Sequence, residues 1–166
     1  MIKKDTKKDQ KLIAISGGFD PVHIGHIQML EAASNYGKVV VIVNSDSWLA
    51  KKKGYVFMPF DERCAIMGAF TGVFNVIGVD DSDGSVCEAL EKIKPDFFGN
   101  GGDRTNKNIP ELDLCNKLGI DTVFSLGGSK VQSSSKLVSA SESKEAKDRW
   151  IQMKQWFDTK YQIDEE

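Results

Sequence analysis

Short apolar runs alternate along the chain with longer segments in which apolar residues recur at helical spacing. The first run, 11–16, ends at two glycines, and from Ile24 to Tyr36 apolar side chains return with the period of a helix until Gly37. The next run, 38–44, is an almost unbroken series of β-branched residues, which is typical of a parallel strand covered on both faces. The chain therefore begins with a predicted strand, helix and strand.

The same alternation continues as far as residue 126 and predicts the architecture. Strands are expected over 74–79, 96–102 and 121–126, and helices over 61–70, 84–94 and 109–119. Elements that alternate in this way form right-handed crossovers. We therefore predict an α/β fold, a Rossmann-like doubly wound sheet of about five parallel strands with helices on both faces. Such sheets bind ligands beyond the carboxyl ends of their strands, so three glycine-bearing segments should face one crevice: 17–25, 99–102 and 127–128.

Changes in composition divide the chain into three parts. Residues 1–10 are a polar, lysine-rich lead-in, 11–140 form the α/β domain, and 141–166 are predicted to add a C-terminal amphipathic helix. This extension carries an aromatic and methionine stripe that we expect to pack on the domain or on a partner subunit. A stacking platform for nucleotides is the alternative. The stripe consists of Trp150, Met153, Phe157 and Tyr161.

Composition narrows the class of protein. The chain has 166 residues, of which 40% are hydrophobic and 28% charged, the usual balance of a globular protein. The net charge of −2 provides no general attraction to nucleic acid or to an anionic membrane, and no apolar stretch approaches the roughly 20 residues that span a bilayer. The first residues lack the apolar segment of a secretory signal. Three separated cysteines suggest packed thiols rather than disulfides or a metal site. We expect a cytoplasmic protein that binds neither nucleic acid nor membrane.

Both histidines of the chain stand three residues apart in "SGGFDPVHIGH", residues 16–26. Residues three apart share a helix face, so both imidazoles can point at one ligand. The N–H groups and positive dipole end of the following helix favour a phosphate there. Gly17 and Gly18 would let the backbone approach a ligand, and Gly25 would leave room between the rings for a base or phosphate. A surface pair is the alternative, and a zinc pair is disfavoured because the local sequence offers no further ligand.

The stretch "GGFDPVHIGH" resembles the first signature of the HxGH nucleotidyltransferases, the cytidylyltransferase-like superfamily. The chain is most similar to the branch that contains glycerol-3-phosphate cytidylyltransferase and the nucleotidyltransferase domain of the ADP-heptose synthases. The resemblance covers residues 11–140, which it identifies as a nucleotidyltransferase domain. Further segments follow in the order seen in the family: "VNSD" (43–46), Lys-Gly (53–54), "DER" (61–63), "NGGD" (100–103) and "SSSKLV" (133–138).

The resemblance implies a reaction that joins CTP or ATP to a phosphorylated alcohol or sugar and releases pyrophosphate. The attacking phosphate oxygen is already an anion, so the protein must supply positive charge and hydrogen-bond donors rather than a general base. By resemblance, His23 and His26 donate to the triphosphate and stabilise the transition state. The resemblance also implies Mg²⁺ that arrives with the nucleotide and, as is usual in this branch, a homodimer.

Two cations are expected at the phosphates. Lys53 matches the lysine that family members bring there, and a solvated lysine run in a mobile loop is the alternative. Arg63 stands at a predicted helix start, where the helix dipole disfavours a cation unless an anion offsets it. We therefore expect Arg63 to contact phosphate, with an ion pair to Asp61 or Glu62 as the alternative.

The nucleotide is expected to contact loops at three strand ends. Asp20 is expected to order its loop through backbone N–H groups more than to act on substrate. The "NGGD" segment is a candidate for base or ribose contacts, with simple turn formation as the alternative. The serine run matches the family's second signature, which binds phosphate at a helix start, and a plain N-cap is the alternative. The nucleotide-binding set is Gly17, Gly18, Phe19, Asp20, Gly25, Gly102, Asp103, Ser133, Ser134 and Ser135.

The acceptor site is defined less closely. Asp46 is a candidate contact for acceptor hydroxyls, or a cap of the next helical turn. The stretch "KVQSSS" (130–135) departs from the family pattern, in which an arginine-containing stretch and Gly-Val precede the hydroxyls. Lys130 is a candidate to replace that arginine, although an ammonium does not reproduce a bidentate guanidinium. The sequence leaves the choice between CTP and ATP open.

Other functions remain as alternatives at this stage. One is an adenylyltransferase of cofactor synthesis that acts on a pyridine mononucleotide, FMN or phosphopantetheine. Another is a nucleotide-binding relative without turnover, against which the presence of Lys53 and both histidines argues. A flavodoxin-like or NAD-binding domain is disfavoured because the glycines lack the G-x-G-x-x-G order.

Overall fold

The computed structural model describes residues 11–102, 104–105 and 109–161. Within them five parallel strands form a sheet of order β3-β2-β1-β4-β5, surrounded by helices. This confirms the predicted Rossmann-like α/β fold. In chain order the elements are β1 (Leu12–Gly17), α1 (Ile24–Ser34), β2 (Lys38–Val43), α2 (Asp46–Lys53), α3 (Phe60–Gly68), β3 (Val73–Gly78), α4 (Cys87–Ile93), β4 (Phe97–Gly101), α5 (Leu112–Leu118), β5 (Asp121–Leu126), α6 (Ser134–Ser141) and α7 (Lys144–Tyr161).

Alternate side chains of the central strands feed two separate cores. On one face, Ile13 and Ile15 of β1 pack with buried residues of α1 and α3. On the other face, Ala14 and Phe98 pack with buried residues of α4 and α5. Since successive side chains of a strand point to opposite faces, a strand buried on both faces must be apolar throughout. This explains the unbroken β-branched run of β2.

The strand order reverses beside β1, which lies between β2 and β4. Gly17 at the end of β1 is in register with Val43 at the end of β2, and β4 runs in the same direction on the other side. The loops that leave these strands diverge at the switch point and open a crevice at the carboxyl edge of the sheet. The candidate site lies there.

Helix α2 occupies the segment that the sequence presented as a lysine-rich loop. Ser45 caps it by accepting a hydrogen bond from the Trp48 backbone N–H at 3.0 Å. Its three lysines fall in the last turn, where cations interact favourably with the helix dipole. Gly54, with φ 82°, ends the helix in the left-handed conformation that favours glycine. A cap at each end therefore stabilises this short helix.

The N-terminal lead-in lies outside the described residues, and the C-terminal extension is helical through α7. Of the aromatic and methionine stripe only the Met153 side chain is described, and 48% of it is exposed. The other three side chains, those of Trp150, Phe157 and Tyr161, lie outside the described part. No described helix combines the length and the apolar character needed to cross a membrane.

Candidate active site

A cavity of about 440 Å³ opens at the carboxyl ends of β1, β4 and β5. The N-termini of α1 and α6 and the C-terminal end of α2 border it, so three loops that the sequence separates widely meet at the strand switch point. All three glycine-bearing segments expected at the crevice contribute lining residues. Of the residues singled out above, the cavity is lined by His23, Gly25, His26, Lys53, Gly102, Lys130, Ser133, Ser134 and Ser135.

The two imidazoles form a reciprocal cap at the start of α1. The Nδ1 atom of His23 accepts a hydrogen bond from the Gly25 backbone N–H at 3.1 Å. The Nδ1 atom of His26 accepts one from the His23 backbone N–H at 3.2 Å. The rings stack with centroids 3.8 Å apart. This arrangement has the pattern of a capping box, in which a cap side chain and the side chain three residues later satisfy each other's backbone N–H groups.

This cap determines the protonation of both rings. An imidazole nitrogen that accepts a hydrogen bond carries no proton, so each neutral ring bears its hydrogen on Nε2. Burial, followed by the charges of Lys53 and Lys130, lowers the pKa of His23 below its usual value. Burial, followed by His23 and Lys53, lowers the pKa of His26 to about 3. Among the described residues nothing accepts from either Nε2–H, so the site presents two neutral donors to a ligand.

The glycines from the end of β1 to the start of α1 make room for side chains of the protein itself. The expectation that they make room for a ligand is therefore corrected. A Cβ on Gly25 would lie 3.0 Å from Cε1 of His23, so the capping ring fills the space expected for a base or phosphate. A Cβ on Gly17 would meet the Phe19 ring at 3.2 Å, and one on Gly18 would meet Leu49 at 2.6 Å. None of Gly17, Gly18 and Phe19 lines the cavity. Phe19 instead supports His26 edge-on, with ring centroids 4.9 Å apart.

Asp20 connects the histidine loop to the segment before α3. Its carboxylate is fully buried and accepts hydrogen bonds from the backbone N–H groups of Phe57 at 2.8 Å and Met58 at 2.6 Å. Asp20 does not line the cavity. Nζ of Lys53 lies 3.3 Å from the Asp20 carbonyl oxygen, to which it donates. Burial lowers the pKa of Lys53, and Asp20 opposes that effect.

Arg63 does not line the cavity, contrary to the expected phosphate contact. Its side chain is fully buried, and the guanidinium donates to the carbonyl oxygens of Gly18, Asn44 and Met58. Its ion pair is with Asp46, neither with Asp61 nor with Glu62. The Asp46 carboxylate and the three carbonyl oxygens offset both the burial of the cation and its unfavourable position near a helix start.

Asp46 is held by this same ion pair. Its second carboxylate oxygen accepts from the Phe60 backbone N–H at 3.3 Å, at the start of α3. Asp46 lines neither the cavity of the histidines nor a second cavity described below. The side chain therefore joins the first turn of α2 to α3, and the expected contact with acceptor hydroxyls has no support in this geometry.

The serine run serves the fold and borders the cavity at once. Ser133 caps α6 by accepting from the Lys136 backbone N–H at 3.3 Å. The buried Ser134 hydroxyl donates to the Pro21 carbonyl oxygen at 2.8 Å, which ties α6 to the histidine loop. Ser135 lies 3.4 Å from the Tyr55 hydroxyl. The N-termini of α1 and α6 thus open onto one cavity, and both favour an anion.

Several lining residues were missed by sequence reasoning. Lys52 precedes Lys53 at the end of α2, and Arg104 follows β4 directly after Asp103, which lies outside the described residues. The signal that could have found Arg104 is its place in a glycine loop at a strand end. Together with Lys53 and Lys130 they put four cationic side chains on the cavity wall. No aspartate or glutamate is among the described residues that line it.

A second cavity, of about 750 Å³, opens beyond the carboxyl ends of β2 and β3. Trp48, Asp80 and Ser82 are among its lining residues, and Lys52 lines both cavities. Nζ of Lys52 lies 4.3 Å from the Trp48 ring centroid. Hydrogen bonds to Ser45 and Asn44 occupy the buried Asp81 carboxylate, so it holds the wall of this cavity in place.

A family model described as cytidylyltransferase-like matches residues 14–146. The protein named "Bifunctional protein HldE" of Campylobacter jejuni subsp. doylei is 33% identical over 116 residues, which are 68% of this chain and 24% of that relative. Its namesake of Koribacter versatilis is 28% identical over 131 residues, 77% of this chain and 25% of the relative. This chain therefore spans about a quarter of the length of these curated relatives.

A solved structure extends the comparison to three dimensions. It is described as a lipopolysaccharide core biosynthesis protein from Thermoplasma volcanium GSS1 and is 27% identical. Its TM-score is 0.58, and the match covers 70% of this chain and 95% of that one. The family match includes most of β1, the other four strands, both histidines and the serine run. The chain therefore belongs to the cytidylyltransferase-like family of nucleotidyltransferases.

Proposed function

We propose that this chain transfers a nucleotidyl group from CTP or ATP to a phosphorylated alcohol or sugar and releases pyrophosphate. The observation that carries the proposal is the stacked pair His23 and His26, whose Nε2–H groups are left for a ligand at a cavity bordered by two helix N-termini. Membership of the family supports the reaction class.

The chemical step is a displacement at the α-phosphorus of the triphosphate. A phosphate oxygen of the acceptor forms the new bond, and the bond from the α-phosphorus to the oxygen that bridges to the β-phosphorus breaks. The bridging oxygen takes the electron pair and leaves with pyrophosphate, so no proton has to be transferred. The protein accelerates such a step by holding the anions in line and stabilising the charge that develops.

The residues of the cavity suit this task. The Nε2–H groups of His23 and His26 are donors fixed by their backbone hydrogen bonds, so they need no reorganisation when charge develops. The N-terminus of α6, with Ser133 and Ser135, provides further donors for phosphate oxygens. Lys53, the last residue of α2, lines the cavity and supplies positive charge.

We propose that Mg²⁺ reaches the site on the phosphates of the nucleotide. The described residues contain no cluster of three or more histidine, cysteine, aspartate or glutamate side chains that could hold a metal. This donor set fits an ion whose ligands are phosphate oxygens and water. Bound in that way, the ion would neutralise phosphate charge.

The second cavity is our proposed position for the alcohol or sugar part of the acceptor. Lys52 lines both cavities and can hold the acceptor's phosphate between them. Trp48 offers an aromatic face, and the Asp80 carboxylate and Ser82 hydroxyl offer acceptors for hydroxyl groups. The description of the Thermoplasma volcanium relative as a lipopolysaccharide core biosynthesis protein favours a sugar phosphate.

Pyrophosphate release measures this proposal directly. The full chain is incubated with CTP or ATP and Mg²⁺, together with glycerol 3-phosphate, sugar 1-phosphates, nicotinate mononucleotide, FMN or phosphopantetheine. Release that depends on an alcohol or sugar phosphate supports the proposal, and Asp80→Asn should then raise the KM of that acceptor and leave the KM of the nucleotide unchanged. Release only with a mononucleotide or phosphopantetheine would support an adenylyltransferase of cofactor synthesis instead. Tight nucleotide binding without release would indicate a non-catalytic relative.

A further inference from the structure

The three arginines of the chain occupy very different positions. The guanidinium of Arg63 is buried and committed to three carbonyl oxygens and Asp46. Arg149 is exposed on α7 and lines neither cavity. Arg104 lines the cavity of the histidines. It is therefore the arginine that can present a guanidinium to a ligand in that cavity.

The local backbone and the surroundings of Arg104 leave this side chain available. Gly102 adopts φ 63° after β4, and the Arg104 backbone N–H donates to the Gly101 carbonyl oxygen at 3.4 Å, which turns the chain back towards the cavity. The side chain is half-buried. Within the described part of the chain its guanidinium has no hydrogen-bond or ion-pair partner.

The electrostatics of the cavity call for an anion at this position. Four cationic side chains line the cavity, those of Lys52, Lys53, Lys130 and Arg104, and no carboxylate is among the described residues that line it. The positive charge acts on the first loop, because Lys53 and Lys130 both lower the pKa of His23. The histidines are neutral donors, so they cannot balance the charge of a triphosphate. Positive charge concentrated on the wall of a cavity favours the binding of an anion there.

We propose that Arg104 binds the polyphosphate of the nucleoside triphosphate through its guanidinium. This inference rests on the proposed function and adds to it a phosphate-binding residue from the β4–α5 connection, on the side of the cavity opposite α2. A planar guanidinium can bind two phosphate oxygens at once, which an ammonium cannot do. The residue thereby complements Lys53, so that the triphosphate is held from both walls.

Calorimetry with a series of phosphates tests the inference. CTP, ATP, their monophosphates, the nucleosides and inorganic tripolyphosphate are titrated into the wild-type chain and into Arg104→Gln and Arg104→Lys. We expect Arg104→Gln to weaken the binding of triphosphates and tripolyphosphate about 10- to 100-fold, with a smaller loss for monophosphates and none for nucleosides. Arg104→Lys should recover part of the loss. The salt dependence of triphosphate binding should also become less steep in Arg104→Gln.

Arg149→Gln is the matched control, since it removes an exposed guanidinium that lines neither cavity. Unchanged triphosphate and tripolyphosphate affinity in Arg104→Gln would overturn the inference, and so would an equal loss for nucleosides, which would assign the residue to the base or ribose. Tripolyphosphate binding that depends on Arg104 supports the inference even where no acceptor yields pyrophosphate. In that case the proposed transfer reaction fails and the polyphosphate site stands.

Discussion

The imidazole of His26 turns back on the backbone of His23, whose N–H donates to Nδ1 of His26 at 3.2 Å. His23 completes the exchange by accepting from the Gly25 N–H at 3.1 Å. A capping box that usually uses a hydroxyl and a carboxylate is here made of two aromatic rings. The same contacts that begin α1 therefore determine which nitrogen of each ring carries the hydrogen.

The tautomers of both histidines follow from this cap and are measurable without a substrate. We expect ¹⁵N-edited NMR to show the hydrogen on Nε2 in both rings at pH 7. Both rings should titrate below the ordinary value of about 6.5, because burial lowers both pKa values, that of His26 to about 3. Nδ1-protonated tautomers, or a shared titration near pH 6.5, would contradict the cap.

The low pKa of His26 makes the stability of the protein dependent on pH. Below pH 6.5 this ring is protonated in the unfolded chain. In the folded protein it stays neutral until the pH approaches its pKa of about 3. The contribution of His26 to stability is therefore complete above pH 6.5 and decreases as the pH falls towards 3. Relative to His26→Asn, we expect the wild type to lose at most about 2 kcal/mol of unfolding free energy between pH 7 and pH 5. Urea denaturation at both pH values measures this difference, and a parallel pH response in the two proteins would refute it.

The donors of the histidines should matter more for turnover than for the fold. We expect His23→Ala and His26→Ala each to lower kcat by about two to three orders of magnitude, as for the loss of other transition-state donors. Each should also cost about 1 kcal/mol of stability through the lost cap. Steady-state assays and thermal melts separate the two effects, and Glu31→Gln, an exposed change on α1, serves as the control. Near-normal turnover in either alanine variant would remove that histidine from the mechanism.

Gly25 should be sensitive to a single added methyl group. Its Cβ would lie 3.0 Å from Cε1 and 3.1 Å from Nδ1 of the His23 ring, so Gly25→Ala displaces the capping imidazole. We expect turnover at least about tenfold lower, on the scale of a misplaced transition-state donor.

The matched control is Gly68→Ala in α3, where the added Cβ would meet only Val76 at 3.7 Å. This variant should have unchanged turnover and equal or slightly higher stability, because alanine favours the helical state. Equal effects of the two substitutions on turnover would show that the His23 ring does not depend on the space above Gly25.

Substitution of Arg63 should lower the stability of the fold rather than nucleotide binding directly. Arg63→Met removes the donor to three carbonyl oxygens and leaves Asp46 without its partner. We expect a loss of about 3 kcal/mol or more, because each carbonyl oxygen left without a donor away from water costs about 1–3 kcal/mol. Asp46→Asn should cost less, because 45% of that side chain is exposed. Denaturant unfolding measures both. A stable Arg63→Met variant that binds CTP and ATP only weakly would instead place this guanidinium at the phosphates.

Local patterns were enough to predict most of the fold. The five strands were expected within one or two residues of their observed bounds, because each is a short apolar run that alternates with a segment of helical spacing. Helix α2 was missed because its residues are polar and charged. Its stability comes from the Ser45 cap and the final Gly54 together with the single buried side chain of Leu49.

The candidate site was predicted unevenly for a related reason. His23, His26 and the serine run were expected at one crevice and line one cavity, because helix N-termini have recognisable local sequences and strand ends converge in a parallel sheet. The position of Arg63 was wrong because its partner Asp46 comes from another element. Arg104 was missed because its position on the cavity wall depends on which loops meet across the sheet.

By itself, the sequence determined the parallel α/β architecture and the presence of two imidazoles at the mouth of β1, since both follow from short-range spacing. Only the tertiary structure decided which cations face the cavity and which are buried. Charge placement depends on partners far apart in the chain, as between Arg63 and the Gly18 carbonyl oxygen, 2.7 Å apart. In the folded protein the histidine rings also cap α1, and these hydrogen bonds place the hydrogen of each neutral ring on Nε2.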